Sequence, residues 1–556
     1  MKKFLLIVLS VFITQGIFAQ DEFLKTLKGE VDRNFATLKD QPVPAYYVSY
    51  RVYDTEAYYI NTSFGKLLNS SPQRNRLFHA MVRVGNHEMD NTREIKGDNF
   101  GGNSSYGGTN NLVLDNNSLA LRMALWNKTD QLYKDAVKQY GNVKANVAVK
   151  VASEDKSDDF SKEQTEKYYE KPIPFKNIIS DIPKWEEKIK KYSAVFSENK
   201  DILNSGAYLS VELVRKYFAD TDGAEIAENA YGYRISINAS TVAEDGMDLP
   251  LYKSYFAYDL KDLPSDEQII ADAREMSKMI SKLRKAPVAE SYSGPALMTA
   301  EAAGVFFHEI FGHRIEGARL KQETDAQTFK KKVGELVLPE DFNIIFDPQI
   351  KEYKKLPLSG KYVFDDEGVR GQNVKIVENG ILKSFLMSRT PIQGFPNSNG
   401  HGRGMIYYNS VTRQSNMIIE SSKAKTNTEL RTMLIDEAKK TNKPYAYLFD
   451  KVAGGFTTTG RYMPNAFNVT PLVVYKVYTD GRPDELVRGV DLVGTPLAMF
   501  SQIAACGNDY DVFNGYCGAE SGSIPVSCVS PTLFVKMVET QKKPKSQSQP
   551  PILERP

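Results

Sequence analysis

Residues 300–319, AEAAGVFFHEIFGHRIEGAR, form a nearly continuous apolar run that also carries ionisable side chains. An apolar segment of this length, with Thr299 before it as a candidate N-cap, is typical of a buried helix. Burying imidazoles and carboxylates in such a helix costs free energy unless each group finds a partner. Four side chains need one: His308, Glu309, His313 and Glu316. The segment therefore predicts a buried helix that supplies part of a polar site, and a metal ion would be a suitable partner.

The two histidines of this segment, His308 and His313, are five positions apart. Zinc peptidases of the HExxH type place their histidines four apart on one helix face, and the glutamate after the first acts as general base. At about 100° per residue, five positions separate the rings by roughly 140° on an ideal helix. Chelation of one ion by both rings therefore requires a local break, which we predict at Gly312. Two separately satisfied core histidines are the competing interpretation.

A catalytic zinc site usually has three protein ligands and one open position, so two histidines do not complete it. The sequence offers five further candidates, namely Glu316, His401, Cys506, Cys517 and Cys528. Cys517 is favoured because Gly515 and Gly518 frame it, and glycines let backbone approach a ligand closely. Coordination would also protect its thiolate in an oxidising compartment.

The chain has 556 residues and a formal net charge of +2, with acidic and basic residues interspersed, which argues against a nucleic-acid or membrane-surface binder. Residues 1–19 have the basic start, apolar middle and small cleavage residue of a secretory signal peptide. No later apolar run is long enough for a bilayer, so we expect no membrane span after signal removal. We expect an exported protein of the bacterial periplasm, where three cysteines leave at least one thiol outside intramolecular disulfides.

The expected fold is α+β in two domains. Residues 20–286 combine helical spacing with aromatic and β-branched stretches, which predicts an N-terminal α/β domain with an antiparallel sheet. The boundary is expected at Ala286-Pro287, and residues 287–540 should form a strand-rich C-terminal domain that carries the His-bearing helix. Residues 541–556 are polar and proline-rich, which predicts a disordered tail.

Several elements can be placed within these domains. The stretches YYVSYRVYD, AYYINTSFG and FHAMVRVGNHEM predict a meander, and Asn379-Gly380 predicts a type I′ hairpin turn. Helical spacing predicts five further helices: Asp21–Asp40, Ser118–Gln139, Ile182–Glu198, Asp266–Lys285 and Asn427–Lys440.

Four motifs in order along the chain resemble those of the TldD/PmbA family of zinc metallopeptidases. They are HEIFGHRIEG, FDDEGVRGQ at Phe364–Gln372, NSNGHGRG at Asn397–Gly404, and YCGAESGSIPVSCVSPT. The resemblance covers nearly everything after Pro287 and is patchy before it. It implies that residues 287–540 are a zinc metallopeptidase domain of the HExxxH type, and that residues 20–286 serve the substrate cleft and the dimer.

The same resemblance assigns roles to individual residues. It implies that His308, His313 and Cys517 bind Zn²⁺ and that Glu309 is the general base. It also implies a peptide or an unfolded segment as substrate, in a cleft enclosed by two subunits. The partner would be a second copy or a PmbA-like subunit. PmbA-like chains lack the zinc ligands, so this chain resembles the catalytic type.

The sequence departs from the family pattern at Ala318 and after Cys517-Gly518, where it has Ala519-Glu520-Ser521. Both departures leave the ligands in place and put the substrate range in question. His401 and Arg403 lie between glycines and are candidates to hold a substrate carbonyl or carboxylate, although an ordinary exposed loop is the alternative. Two other functions stay open: a non-catalytic peptide-binding or structural subunit with a stabilising zinc site, and a peptidase with Cys517 as nucleophile.

Overall fold

The computed structural model describes residues 21–95, 109–149, 154–322, 325, 327–460, 466–543, 549–553 and 555. The predicted signal peptide, residues 1–19, lies outside this part of the chain. Within the described residues, no helix combines the length and the hydropathy that crossing a bilayer requires. The fold is α+β, as predicted from the sequence.

The first half of the chain builds a seven-stranded sheet covered by helices. The sheet order is β3-β2-β1-β5-β6-β4, with β7 on β6, and every pairing except β4 with β6 is antiparallel. The strands are β1 Ala45–Ser63, β2 Lys66–Val84, β3 Thr109–Asn111, β4 Lys167–Tyr169, β5 Asn204–Asp220, β6 Glu225–Val242 and β7 Asp248–Ala257. The helices are α1 Glu22–Leu38, α2 Ser118–Val149, α3 Ile182–Ala194 and α4 Asp266–Lys285.

The predicted meander is wrong in one respect, because its first two stretches form the single strand β1. This strand pairs with β2 along nearly its whole length, and the hairpin turns at Phe64-Gly65, where both residues have positive φ. Asp54, which interrupts the apolar pattern, lies opposite Arg76 and forms an ion pair of 2.5 Å with it. The charge is therefore balanced across the ladder, and the strand continues through it.

The second half builds an eleven-stranded sheet, and no strand of it precedes Tyr292. Its strands and two small ribbons are β8 Tyr292–Met298, β9 Phe342–Phe346, β10 Glu352–Tyr353, β11 Leu356–Pro357, β12 Val374–Glu378, β13 Ile381–Leu382, β14 Gly402–Arg403, β15 Val411–Thr412, β16 Asn416–Ser421, β17 Tyr445–Thr457, β18 Phe467–Tyr478, β19 Glu485–Val487, β20 Val490–Gly494, β21 Ile503–Ala519 and β22 Gly522–Lys542. Its helices are α5 Ala300–Ile310, α6 Gly317–Lys321, α7 Asn427–Lys440 and α8 Pro496–Phe500.

Strand β22 runs two residues past the expected domain end at position 540. The turn at Asn379-Gly380 has positive φ at both residues, as type I′ requires.

Five strands of this sheet close into a ring. The pairings run β8–β17–β18–β20–β22 and back to β8. Helix α5 follows β8 after the single residue Thr299 and packs against β17, β18, β21 and β22. All residues of α5 except Glu301 are buried, which confirms the prediction of a buried helix. Thr299 occupies the N-cap position, but its Oγ1 donates to the Asp450 carbonyl (2.7 Å) instead of capping the helix.

Partly buried polar contacts join the N-terminal sheet to the second half of the chain. Arg51 of β1 donates to the carbonyls of Met405 (3.1 Å) and Tyr408 (2.9 Å). Arg234 of β6 donates to the carbonyl of Asn514 (2.9 Å) in β21. The N-terminal sheet thus supports β21, whose far end carries Cys517.

Candidate metal centre

The helix that carries the two histidines breaks where the sequence predicts. Helix α5 ends at Ile310, and a 3₁₀ turn covers Gly312–Arg314. A Cβ at Gly312 would lie 2.0 Å from Oε1 of Gln414, so the Gln414 side chain would have to move to admit any larger residue. The break rotates His313 towards His308, and the ring centroids are 4.9 Å apart. The five-residue spacing is thereby compatible with a shared ligand.

Cys517 completes a cluster of three donor groups. Its Sγ lies 3.4 Å from Nε2 of His313, and the ligand atoms of His308, His313 and Cys517 all lie within 4.8 Å of one another. All three side chains are buried. No other group of three or more His, Cys, Asp and Glu side chains within the described ranges has this geometry. Two imidazole nitrogens and a thiolate are a donor set that zinc accepts, so the residues fit such an ion.

The charges in the cluster favour the metal-binding form of the cysteine. Burial alone would raise the pKa of Cys517, but the neighbouring His313 and His308 hold it well below its usual value. Burial alone would lower the pKa of His313, and Cys517 and Glu316 instead raise it well above normal. The thiolate is the form that binds metals.

Glu316 lies behind His313 and is not a member of the three-ligand group. Its Oε2 accepts hydrogen bonds from Nδ1 of His313 (3.2 Å) and from Nε of Arg319 (2.7 Å). Burial would raise the pKa of Glu316, yet the charges of His313 and Arg319 lower it to about 2, so it is a carboxylate. Glu316 therefore holds a proton on Nδ1 of His313, and Nε2 lies on the side of Cys517, where it can bind an ion once its own proton is released. A carboxylate behind a ligating histidine is common in zinc sites.

Glu309 is only 6% exposed and lies beside strand β17. A Cβ at Gly455 would lie 2.7 Å from Cγ of Glu309, so the strand passes this side chain at the distance only glycine allows. Arg314 fixes the end of the helix by donating to the Glu309 carbonyl (2.7 Å) and to Oγ1 of Thr457 (2.7 Å). The Gly454-Gly455 pair is the signal in the sequence that could have indicated this contact.

The structure buries His401 and Arg403, so the alternative interpretation of an ordinary exposed loop is wrong. His401 is fully buried, and its ring nitrogens lie 3.0 Å from Oδ1 of Asn399 and 2.9 Å from Oγ of Ser415. Arg403 donates to the Gln414 carbonyl (2.5 Å). Both ring nitrogens of His401 and the guanidinium of Arg403 thus have partners within the fold.

Two arginines that the sequence did not single out surround the cluster. Arg413 is fully buried and donates to the Cys517 carbonyl (2.5 Å). Arg319 pairs with Glu520, one of the departures from the family pattern, through Nη2 and Oε2 (2.7 Å). Neither arginine stands in a recognisable motif, and their partners lie 104 and 201 positions away.

The other two thiols, Cys506 and Cys528, are buried and unpaired. Burial raises the pKa of Cys506 to about 12 and also raises that of Cys528. Both are therefore protonated near neutral pH, unlike Cys517.

Comparison with known proteins identifies the class of this domain. Residues 291–542 match the family model of the PmbA/TldA metallopeptidase C-terminal domain. A metalloprotease of Archaeoglobus fulgidus is 30% identical over 264 residues, which cover 48% of this chain and 57% of that protein. A protein of Saccharolobus solfataricus described as a zinc metalloprotease TldD homolog is 25% identical over 335 residues, which cover 58% of this chain and 68% of the relative. The match thus spans little more than half the length of the first relative.

The fold agrees over a larger part of the chain. The crystal structure of TldE from Thermococcus kodakarensis superposes with a TM-score of 0.62 at 15% sequence identity, covering 93% of this chain and all of that one. Since the identity is low, this likeness describes the fold alone. Residues 291–542 therefore form a domain of the TldD/PmbA family, and all four motifs lie within it.

Proposed function

We propose that this chain is a zinc-dependent peptidase of the HExxxH type that hydrolyses peptides or unfolded polypeptide segments. The observation that carries the proposal is the buried cluster of His308, His313 and Cys517, with the carboxylate-bearing Glu309 next to one of its members. The printed descriptions of the relatives as metalloproteases support it.

His308, His313 and Cys517 would hold the ion. Zinc in such a site supplies Lewis-acid chemistry, which acidifies water and polarises a peptide carbonyl. Glu309 is the proposed general base: its carboxylate takes the proton of the attacking water and passes it to the leaving amine. Glu316 keeps His313 in the tautomer that presents Nε2 to the ion.

Metal removal tests the proposal directly. Treating the purified chain with a chelator should abolish hydrolysis of unstructured peptides. The proposed role of His308, His313 and Cys517 is to hold the metal ion, and without that ion the site cannot activate water or the substrate. One equivalent of Zn²⁺ should restore the rate, measured alongside the metal content by mass spectrometry. Hydrolysis that persists in fully metal-free protein would refute the proposal. A metal-loaded chain with no peptidase activity would favour a peptide-binding subunit instead.

A cysteine nucleophile is the second candidate, favoured by the 3.4 Å contact between Cys517 Sγ and His313 Nε2 and by the lowered pKa of the thiol. It predicts inactivation by alkylating agents and no effect of chelators. The metal-removal experiment therefore separates the two candidates.

Replacing Gly455 by alanine should slow hydrolysis while leaving the metal bound. The new Cβ would lie 2.7 Å from Cγ of Glu309 and 2.8 Å from the Asn468 carbonyl, so the glutamate must move. A displacement of about 1 Å at a catalytic group can cost roughly 100-fold in rate. The measurement is kcat together with zinc content. Gly460→Ala is the control, because no atom of the described residues lies within 4 Å of its added Cβ. Equal rates for the two variants would contradict the placement of Glu309.

The setting of the activity is also a proposal. We propose that the chain works outside the cytoplasm, on the basis of the signal-like residues 1–19, and that a second copy or a PmbA-like subunit closes the substrate cleft. The likeness of the fold to a TldE supports assembly of the TldD/PmbA type. Mass photometry of the purified chain, alone and with a co-expressed PmbA-like subunit, tests the assembly.

A further inference from the structure

The ligand Cys517 lies at the end of a long hairpin, where it needs support. Strands β21 and β22 meet in a tight turn at Glu520-Ser521, and Cys517 pairs with Ile524 two steps before the turn. Hairpin ends have few neighbours and open more readily than sheet centres. Yet the sulfur must stay within reach of His313, which sits on a separate 3₁₀ turn.

Arg413 holds this hairpin end closed. Its Nη2 donates to the Cys517 carbonyl (2.5 Å), and its Nη1 donates to Oγ of Ser521 (2.8 Å) and to the Gly522 carbonyl (3.0 Å). These acceptors lie on both sides of the turn. One fully buried guanidinium therefore ties the two strands together around the cysteine.

The same side chain connects the hairpin to His313. Nε of Arg413 lies 3.8 Å from Oε1 of Glu316, and neither atom has a hydrogen-bond partner among the residues that the structure describes. The other oxygen of Glu316 accepts from His313. His313 and Cys517 are therefore connected in two ways. One connection runs through Glu316 and Arg413, and the other is the direct 3.4 Å contact between Nε2 of His313 and Sγ of Cys517. The planar guanidinium of arginine holds its N–H donors in fixed directions, so it can bind several acceptors on both strands at once. The compact ammonium group of a lysine cannot replace this arrangement.

We propose that Arg413 is a positioning residue that preorganises the metal site: it fixes the Cys517 hairpin against Glu316, so that sulfur and imidazole are at ligand distance before an ion arrives. The inference rests on the proposed metal-binding function. Without Arg413 the hairpin end would have to be ordered by the metal itself, and that ordering cost would weaken binding.

Arg413→Lys tests this, with zinc affinity measured by competition against a chromophoric chelator. Loss of a supporting residue behind metal ligands typically costs about 10- to 100-fold in affinity, and we expect a loss in that range. The matched control is Arg389→Lys. Arg389 is equally buried, but its guanidinium donates to Ser161 and Asp222 in the N-terminal domain. The control should lose stability and keep the wild-type zinc affinity.

The second measurement needs no metal. In chelator-treated protein, iodoacetamide should alkylate Cys517 several-fold faster in Arg413→Lys than in wild type, while Cys506 and Cys528 stay protected as internal standards. Unchanged zinc affinity or unchanged alkylation in folded Arg413→Lys would overturn the inference. If that variant does not fold, Ser521→Ala removes one acceptor and should weaken zinc binding to a smaller extent; wild-type affinity there would overturn it as well. A wild-type chain that binds zinc without hydrolysing peptides would defeat the proposed function and leave this result standing.

Discussion

Replacing Glu309 by glutamine is expected to slow peptide hydrolysis about 10²- to 10⁴-fold, the range for loss of a general base. The amide keeps the shape of the side chain against Gly455 but cannot take a proton. Because His308, His313 and Cys517 are untouched, zinc content should equal that of the wild type. The measurement is kcat/KM on an unstructured peptide, together with metal analysis of the same preparation.

The control for this variant is Glu301→Gln. Glu301 lies on the same helix, α5, but its carboxylate pairs with Lys451 at the protein surface. An ion pair of this exposure is worth little, so the control should retain nearly full activity. Wild-type rates in Glu309→Gln would exclude the glutamate as the base and revive the cysteine nucleophile.

Replacing Cys517 by alanine is expected to weaken zinc binding by more than about 100-fold, the upper end of the losses caused by residues that only support ligands. The variant removes one of three donors and leaves α5 and the 3₁₀ turn, which carry the other two. Activity should fall with the metal. Zinc titration of the metal-free protein, followed by calorimetry or a competing chelator, measures the effect.

Cys506→Ala is the matched control because it deletes another buried thiol, one whose pKa of about 12 keeps it protonated. This variant should bind zinc with the affinity of the wild type, and the only expected change is the loss of packing contacts around position 506. Full zinc occupancy in Cys517→Ala with loss of hydrolysis would instead assign the thiol a covalent role.

The local parts of the site could be predicted from the sequence. The apolar run, the break at Gly312 and the glycine-framed Cys517 each depend on residues close together in the chain, and the family motifs reinforced them. The buried helix and the hairpin turn at Asn379-Gly380 were confirmed for the same reason.

The supporting residues could not be predicted, because their partners are remote. Arg413 lies 104 positions from Cys517, and Gly455 meets Glu309 only after β17 has joined the sheet. Glycines around His401 and Arg403 suggested an accessible loop, but glycine also permits the close packing that buries them. The continuity of β1 through Asp54 likewise depends on a residue of another strand, Arg76, which lies opposite it.

The position of β22 has a consequence for how the protein is made. This strand is the last one that the structure describes, yet it closes the ring by pairing with β8, the first described strand of the same sheet. His313 and Cys517 are 204 positions apart, which at ribosomal speed means a delay of roughly 10 to 40 s between their synthesis. Throughout that interval the apolar helix α5 has no complete core around it. We therefore expect that a chain stopped before β22 leaves the ring open, with β8, β20 and β21 lacking their partner.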